Sequence, residues 1–190
     1  MDDSHHEINY KKSPFVLYDK FFNSKICDRI LKFAEIQQYK KYNDRKSRFE
    51  YIILNDSYDY KDLKWITNPL TDLIAESNDI NFQLDITSLR FLSLYKFHID
   101  DELYWHHDCD WWFNSLPYDK KLTLLISLSD ESEYEGGEIG EFMSTVPLPR
   151  EHYSKGSVTI IPSYYYYCYH KITQGIKKLL VCNVIGPKFR

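Results

Sequence analysis

The hydrophobic rhythm of the chain changes near residue 82. Before that point, apolar positions recur mainly at helical spacing. Asn23 or Ser24 can cap free backbone N–H groups, and Ile26, Ile30, Phe33 and Ala34 then mark one face of a helix that ends in the polar stretch 39–43. Asn68-Pro69 predicts a second helix start, with Asn as cap and Pro in the first helical position. Leu70, Leu73 and Ile74 form its stripe, and Ser77-Asn78-Asp79 closes it. Residues 15–17 and 49–54 are short strand candidates.

After residue 82 the period shortens. Residues 82–97 carry Leu84, Ile86, Leu89, Phe91, Leu92, Leu94 and Tyr95, enough for one bent strand or two. Residues 121–129 set Leu122, Leu124, Ile126 and Leu128 against Thr123, Leu125 and Ser127, a period of two with one strongly apolar face. Gly136-Gly137 marks a tight turn, and 157–161, 164–172 and 177–185 are further strands, separated by Pro162 and by Gln174-Gly175. Helices followed by strands predict an α+β fold. About eight short strands suggest a jelly roll of two sheets. A single domain over 1–190 is expected, with a helical support region at about 1–80 and the jelly-roll core at about 82–190.

Composition narrows the class. A chain of 190 residues with 43% hydrophobic and 27% charged residues is globular and long enough for one sizeable core. A net charge of -4 argues against strong non-specific nucleic-acid binding. No run reaches the roughly 20 apolar residues that span a bilayer. The polar start Met1-Asp2-Asp3-Ser4 shows no secretory signal. Cys27, Cys109, Cys168 and Cys182 are scattered, as expected of reduced thiols in a cytoplasmic protein. Heavy use of Lys, Asn, Ile and Tyr is what AT-rich coding produces, as in viral or AT-rich bacterial genes.

The chemistry concentrates at His106-His107-Asp108. On a strand, residues i and i+2 share a face, so His106 and Asp108 can converge on one ion while His107 points away. Two imidazoles and a carboxylate hold Fe(II) on one face and leave the opposite positions open. A third ligand must come from elsewhere, and His170 lies late in the strand-rich half. His98-Ile99-Asp100 is a second His-x-Asp, and the residues alone leave both pairs open.

Six segments in order bear a resemblance: Tyr95; Tyr104-Trp105-His106-His107-Asp108; Lys121-Leu122-Thr123; Tyr134-Glu135-Gly136-Gly137-Glu138; Lys155-Gly156-Ser157-Val158 running to Pro162-Ser163; and His170-Lys171-Ile172 with Gly175-Ile176-Lys177 and Gly186-Pro187. Over about residues 89–190 the chain resembles the 2-oxoglutarate/Fe(II)-dependent oxygenases, in the prolyl 4-hydroxylase-like branch common in phages and bacteria. The resemblance implies a double-stranded β-helix (jelly roll). It implies Fe(II), 2-oxoglutarate and O2 as cofactors, with ascorbate as a reductant. It selects His106, Asp108 and His170 as metal ligands and catalytic centre. It selects Lys177, with Lys178 as competitor, for the far carboxylate of 2-oxoglutarate, and Tyr95 and Thr123 as hydroxyl donors to that co-substrate. Two intervals depart from the family: Pro162-Ser163 to His170 is longer, and His170 to Lys177 is shorter.

The expected activity is hydroxylation of a peptide or protein, with prolyl residues leading, and release of succinate and CO2. Trp105, Trp111, Trp112 and Tyr164 to Tyr167 offer aromatic surface for an extended peptide, or alternate between core and exterior. The competing readings are oxidation of a nucleobase or free amino acid, and a jelly-roll binding module without catalysis.

Overall fold

A computed structural model describes residues 14–44, 46–54, 60–109, 116–141 and 148–189. A large sheet runs in the order β1-β9-β6-β12-β4-β3-β2. Its strands are β1 (Val16–Tyr18), β2 (Lys40–Asn43), β3 (Arg48–Ile53), β4 (Ser88–Phe97), β6 (Asp119–Ser127), β9 (Val158–Pro162) and β12 (Lys177–Gly186). A small sheet, β5-β10-β8, is built from Leu103–His106, Tyr167–Tyr169 and Ile139–Glu141. A two-stranded ribbon pairs β11 (Ile172–Gly175) with β7 (Tyr134–Gly136). All described ladders are antiparallel. The α+β jelly roll expected from the pattern is the fold observed.

Period-two alternation sorts the large sheet into two faces. On β6 and β12, Leu122, Leu124, Ile126, Leu180, Cys182 and Val184 join an apolar cluster with the helices. The alternate residues Leu125, Leu179 and Val181 meet Leu103, Ile139, Tyr167 and Tyr169 of the small sheet in a second cluster, the barrel interior. Helix α1 (Ser24–Glu35) buries Cys27, Ile30 and Ala34, and its cap is Asn23, whose Oδ1 accepts from the Ile26 N–H at 3.0 Å. Helix α2 (Lys64–Ser77) buries Ile66, Leu70, Leu73 and Ile74.

Two local expectations are corrected. Residues 40–43 form an exposed edge strand paired with β3. The second helix begins at Lys64, a turn before Asn68-Pro69, so Pro69 lies inside it. Leu63 and Ile66, both fully buried, anchor that extra turn, and burial outweighs the local start signal. Ser77-Asn78-Asp79 closes the α-helix as expected, and a π-turn at Asn78–Phe82 follows, closed by Gln83 in the left-handed region. Residues 82–97 form one strand from Ser88, bent where Phe91 takes φ 54° and the register with β12 shifts. The first strands, β1 to β3, belong to the large sheet, so the N-terminal part supplies more than helical support.

Candidate active site

The small sheet presents His106 at the end of β5, and the chain beyond it is held by two bonds: the N–H groups of Asp108 and Cys109 both donate to the Ser163 carbonyl, at 2.8 and 2.9 Å. His106 Nδ1 lies 2.9 Å from the Tyr104 carbonyl. A carbonyl only accepts, so Nδ1 carries the proton and Nε2 is left with its lone pair. That Nε2 lies 3.9 Å from Asp108 Oδ1. The other oxygen, Oδ2, accepts from Thr123 Oγ1 at 2.8 Å and from the Tyr167 hydroxyl at 2.9 Å. Asn183 Nδ2 donates in turn to Thr123 Oγ1 at 3.1 Å. The carboxylate is therefore fixed from the Oδ2 side and turns Oδ1 toward His106. Side chains of His106 and Asp108 keep 27% and 18% of their exposure, so the pair is reachable from solvent.

His170 does not join them. Tyr167, Cys168 and Tyr169 pair with Glu141, Gly140 and Ile139 of β8, and Tyr167 and Tyr169 face the interior. His170 is exposed, and its N–H donates to the Glu138 carbonyl. A Cβ placed on Gly140 would meet Cys168 Sγ at 2.6 Å, His170 Nε2 at 3.1 Å and Trp105 Cη2 at 3.2 Å. The imidazole thus lies with Cys168 and Trp105 on the outer face of the small sheet. Among the described residues, no three His, Cys, Asp or Glu side chains come together as a metal group. The two-imidazole ligand set expected from the sequence is not assembled. The residue opposite His106 on β10 is Tyr167, three positions earlier, with ring centroids 4.3 Å apart. Placing the third position at Tyr167 shortens the interval from Pro162-Ser163 and lengthens the interval to Lys177. Both spacing departures shrink together.

The second His-x-Asp is separate from this site. His98 Nε2 meets Glu50 Oε2 at 3.1 Å, and Asp100 occupies an exposed turn with φ 68°.

Lys177 is fully buried at the start of β12, while Lys178 points the other way and is half-buried. Its ammonium lies 4.7, 5.0 and 5.1 Å from the ring centroids of Tyr169, Tyr153 and Tyr134, and it donates to the Gly137 carbonyl. Burial pushes its pKa down to about 7, and the charge of Glu138 opposes the fall. The hydroxyls of Tyr134 and Tyr169 are buried without a hydrogen-bond partner among the described residues. A buried cation among tyrosine rings, two of whose hydroxyls are idle donors, has the chemistry that suits a carboxylate. Tyr134 and Tyr153 also line a cavity of about 350 Å³.

Tyr95 faces the same interior, 4.6 Å from Phe49 between ring centroids. Burial first, and then the Asp108 charge, hold its phenol above the usual value. Thr123 is engaged with Asp108 rather than directed at a co-substrate. Trp111 and Trp112 lie outside the described residues. Sequence reasoning missed Tyr167, Tyr169, Tyr134 and Asn183, and the paired spacing departures were the available signal for the first.

This is the fold of the 2-oxoglutarate–Fe(II) oxygenases, in the form seen in prolyl hydroxylases. The chain is similar to a prolyl 4-hydroxylase of Pseudomonas putida (TM-score 0.71, 7% identity, 94% of this chain and 95% of that one). It is similar to a viral collagen prolyl hydroxylase of Paramecium bursaria Chlorella virus-1, solved as a 2-oxoglutarate complex (0.65, 12%, 93% and 98%). It is also similar to a Trichoplax adhaerens prolyl hydroxylase in complex with a hypoxia-inducible-factor peptide fragment (0.70, 12%, 92% and 84%). No protein-family model matches the chain. No curated protein matches it in sequence.

Proposed function

We propose that the chain is a metal-dependent 2-oxoglutarate dioxygenase that hydroxylates a peptide or protein segment, with prolyl residues the leading target. One observation carries this reading. A buried lysine packed over the rings of Tyr134 and Tyr169, whose hydroxyls have no partner among the described residues, faces the same barrel interior as a His–Asp pair whose Nε2 and Oδ1 lie 3.9 Å apart.

Each residue has a distinct task. Lys177 and the hydroxyls of Tyr134 and Tyr169 bind the far carboxylate of 2-oxoglutarate, which fixes the orientation of its 2-oxo end. His106 Nε2 and Asp108 Oδ1 would hold a bound ion, and Thr123, bonded to Oδ2, keeps Oδ1 on the side of His106. Iron, with 2-oxoglutarate and O2, supplies the C–H oxidation, and ascorbate serves as reductant. Tyr164 and Tyr166 are exposed, and the Tyr166 ring lies 4.9 Å from that of His107. These rings suit an extended, proline-containing peptide. The peptide-bound Trichoplax prolyl hydroxylase supports that substrate class.

The test is incubation with 2-oxoglutarate, iron, ascorbate and air, with peptide, single-stranded DNA and free proline in parallel. Peptide that gains one oxygen atom in step with succinate release supports the proposal. Oxidation of DNA or free proline alone replaces it. A second reading, a co-substrate-binding module without turnover, is favoured by the outward position of His170. It predicts stabilisation by 2-oxoglutarate with no succinate in any arm.

A further inference from the structure

We propose that the open edge of β2 is a docking strand for the partner peptide: an extended, acidic segment adds to the large sheet alongside Lys40–Asn43 and carries its target residue toward His106. This placement rests on the peptide reading given above, and adds where that peptide is held and which charge it bears.

The fold leaves this edge open. β2 ends the order of the seven-stranded sheet, and all four of its residues are exposed. On one side it is laddered to β3, with Lys40 opposite Tyr51, Lys41 opposite Glu50 and Tyr42 opposite Phe49. On the other side no strand pairs with it among the described residues. An unpaired edge is a row of N–H and C=O groups that an extended chain can complete as a further strand.

The edge leads to the candidate site by two routes. The half-exposed Tyr42 ring stacks on Phe49 at 4.8 Å, and ring contacts continue through Phe97 at 5.3 Å and Tyr169 at 5.6 Å into the barrel interior. The turn that follows β2 is fastened to β5. The Tyr104 N–H donates to Ser47 Oγ at 3.0 Å, and the Lys46 ammonium lies 4.1 Å from the centre of the Tyr104 ring. His106 is two residues further along β5, about 7 Å on a strand. A segment lying along β2 therefore leaves it beside the strand that carries His106.

Charge selects the occupant. Residues 40–48 hold five basic side chains, Lys40, Lys41, Arg45, Lys46 and Arg48, against the single acid Asp44, in a chain of net charge -4. Asp101 answers Arg48 at 2.6 Å, and Glu50 stands across from Lys41, but the residue across from Lys40 is Tyr51. Asp44 is taken up by the turn: it accepts from the N–H groups of Lys46 and Ser47 and from the Tyr42 hydroxyl. A second copy of this chain is a poor occupant, because edge-to-edge antiparallel pairing sets these lysines against one another. A nucleic acid answers the charge but has no N–H and C=O row to complete the ladder. An acidic, extended peptide supplies both.

The test is fluorescence anisotropy with the full chain and a labelled peptide in which a proline-containing segment is followed by alternating Glu and Thr. This peptide should bind about tenfold more tightly than its analogue with Lys in place of Glu. Lys40→Glu combined with Lys41→Glu should lose that preference while staying folded by circular dichroism. N-methylation of alternate peptide nitrogens separates an added strand from a merely charged ligand. One alternate frame should abolish binding and the other leave it, because a strand offers only every second N–H to one neighbour. The proposal is overturned if the wild-type chain does not prefer the acidic peptide, if the two frames act alike, or if the lysine reversals leave affinity unchanged. Single-stranded DNA of equal charge binding as tightly overturns it as well. A peptide that docks with this frame dependence and is never oxidised sinks the oxygenase reading and leaves the docking edge standing. A peptide oxidised equally well without its acidic stretch does the reverse.

Discussion

Replacing Lys177 by methionine should make the ligand-free protein more stable at neutral pH while abolishing its response to 2-oxoglutarate. The buried ammonium titrates at about 7, against 10.5 for an unperturbed lysine, a difference equivalent to about 5 kcal/mol. The three tyrosine rings attract the cation and offset part of this, each by about 0.5–1 kcal/mol. Methionine has similar length and needs no solvation. It leaves the Gly137 carbonyl without its donor, at a cost of about 1 kcal/mol. The net expectation is a gain of about 1–2 kcal/mol at pH 6.5. The pH dependence follows from the sign of the shift. Between pH 7 and 10.5 the unfolded chain holds a proton on this lysine that the folded chain has lost, so wild-type stability from this group rises with pH across that window. Below pH 7 both states are protonated and the penalty is full. With values of about 7 folded and 10.5 unfolded, the advantage of Lys177→Met should therefore fall by about 4 kcal/mol between pH 6.5 and pH 10, enough to reverse its sign. Urea denaturation of both proteins at pH 6.5 and 10 measures it. Thermal shift on titrating 2-oxoglutarate measures the loss of binding, and in the wild type that affinity should weaken as pH rises above about 7. A stability gap independent of pH, or a 2-oxoglutarate shift that survives the substitution, would refute the assignment of Lys177 as the buried, ligand-facing cation.

Other consequences are as direct. Thr123→Val removes a donor to Asp108 Oδ2 without changing side-chain size much, and should weaken metal binding about 10–100-fold in a competing-chelator titration while the fold is retained. Tyr169→Phe deletes a buried hydroxyl that has no partner; urea denaturation should show the ligand-free protein about 1 kcal/mol more stable, and calorimetry should show weaker 2-oxoglutarate binding. Gly175→Ala forces a side chain at φ 74° and puts its Cβ 2.0 Å from the Glu133 carbonyl oxygen, so a loss of more than about 2 kcal/mol is expected by thermal denaturation.

The fold was legible wherever burial is one-sided. The β6 alternation of Leu122, Leu124 and Ile126 against Thr123 and Leu125 is a direct imprint of two different environments, and the structure puts the first three in one apolar cluster and Leu125 in the other. The α1 stripe and its Asn23 cap are equally local and equally readable. What escaped was set by partners far along the chain. Lys40–Asn43 has no buried residue, so no hydrophobic pattern announces it; β3 alone recruits it into a sheet. Asn68-Pro69 is a sound local start signal, overruled because Leu63 and Ile66 gain more by being wound into the core than the helix loses at Pro69.

The site divides along the same line. His106 and Asp108 were legible as a pair because i and i+2 on one strand share a side. Only the family resemblance chose them over His98 and Asp100, and chose Lys177 by its Gly-x-Lys. The structure buries Lys177 on the parity of Leu179 and Val181. The distal position depends on the register between β10 and β5, which no local pattern encodes. A run of Tyr164 to Tyr167 followed by Cys168-Tyr169-His170 offers an attractive imidazole and hides a phenol. The two cannot share a face in a regular strand, since they lie three positions apart and three is odd. The outward parity of His170 is thus fixed once Tyr167 and Tyr169 fill the interior, and with it the choice of which side chain can reach Asp108. A histidine at the expected end of the chain is therefore weaker evidence for a ligand than the pairing that decides which way it points.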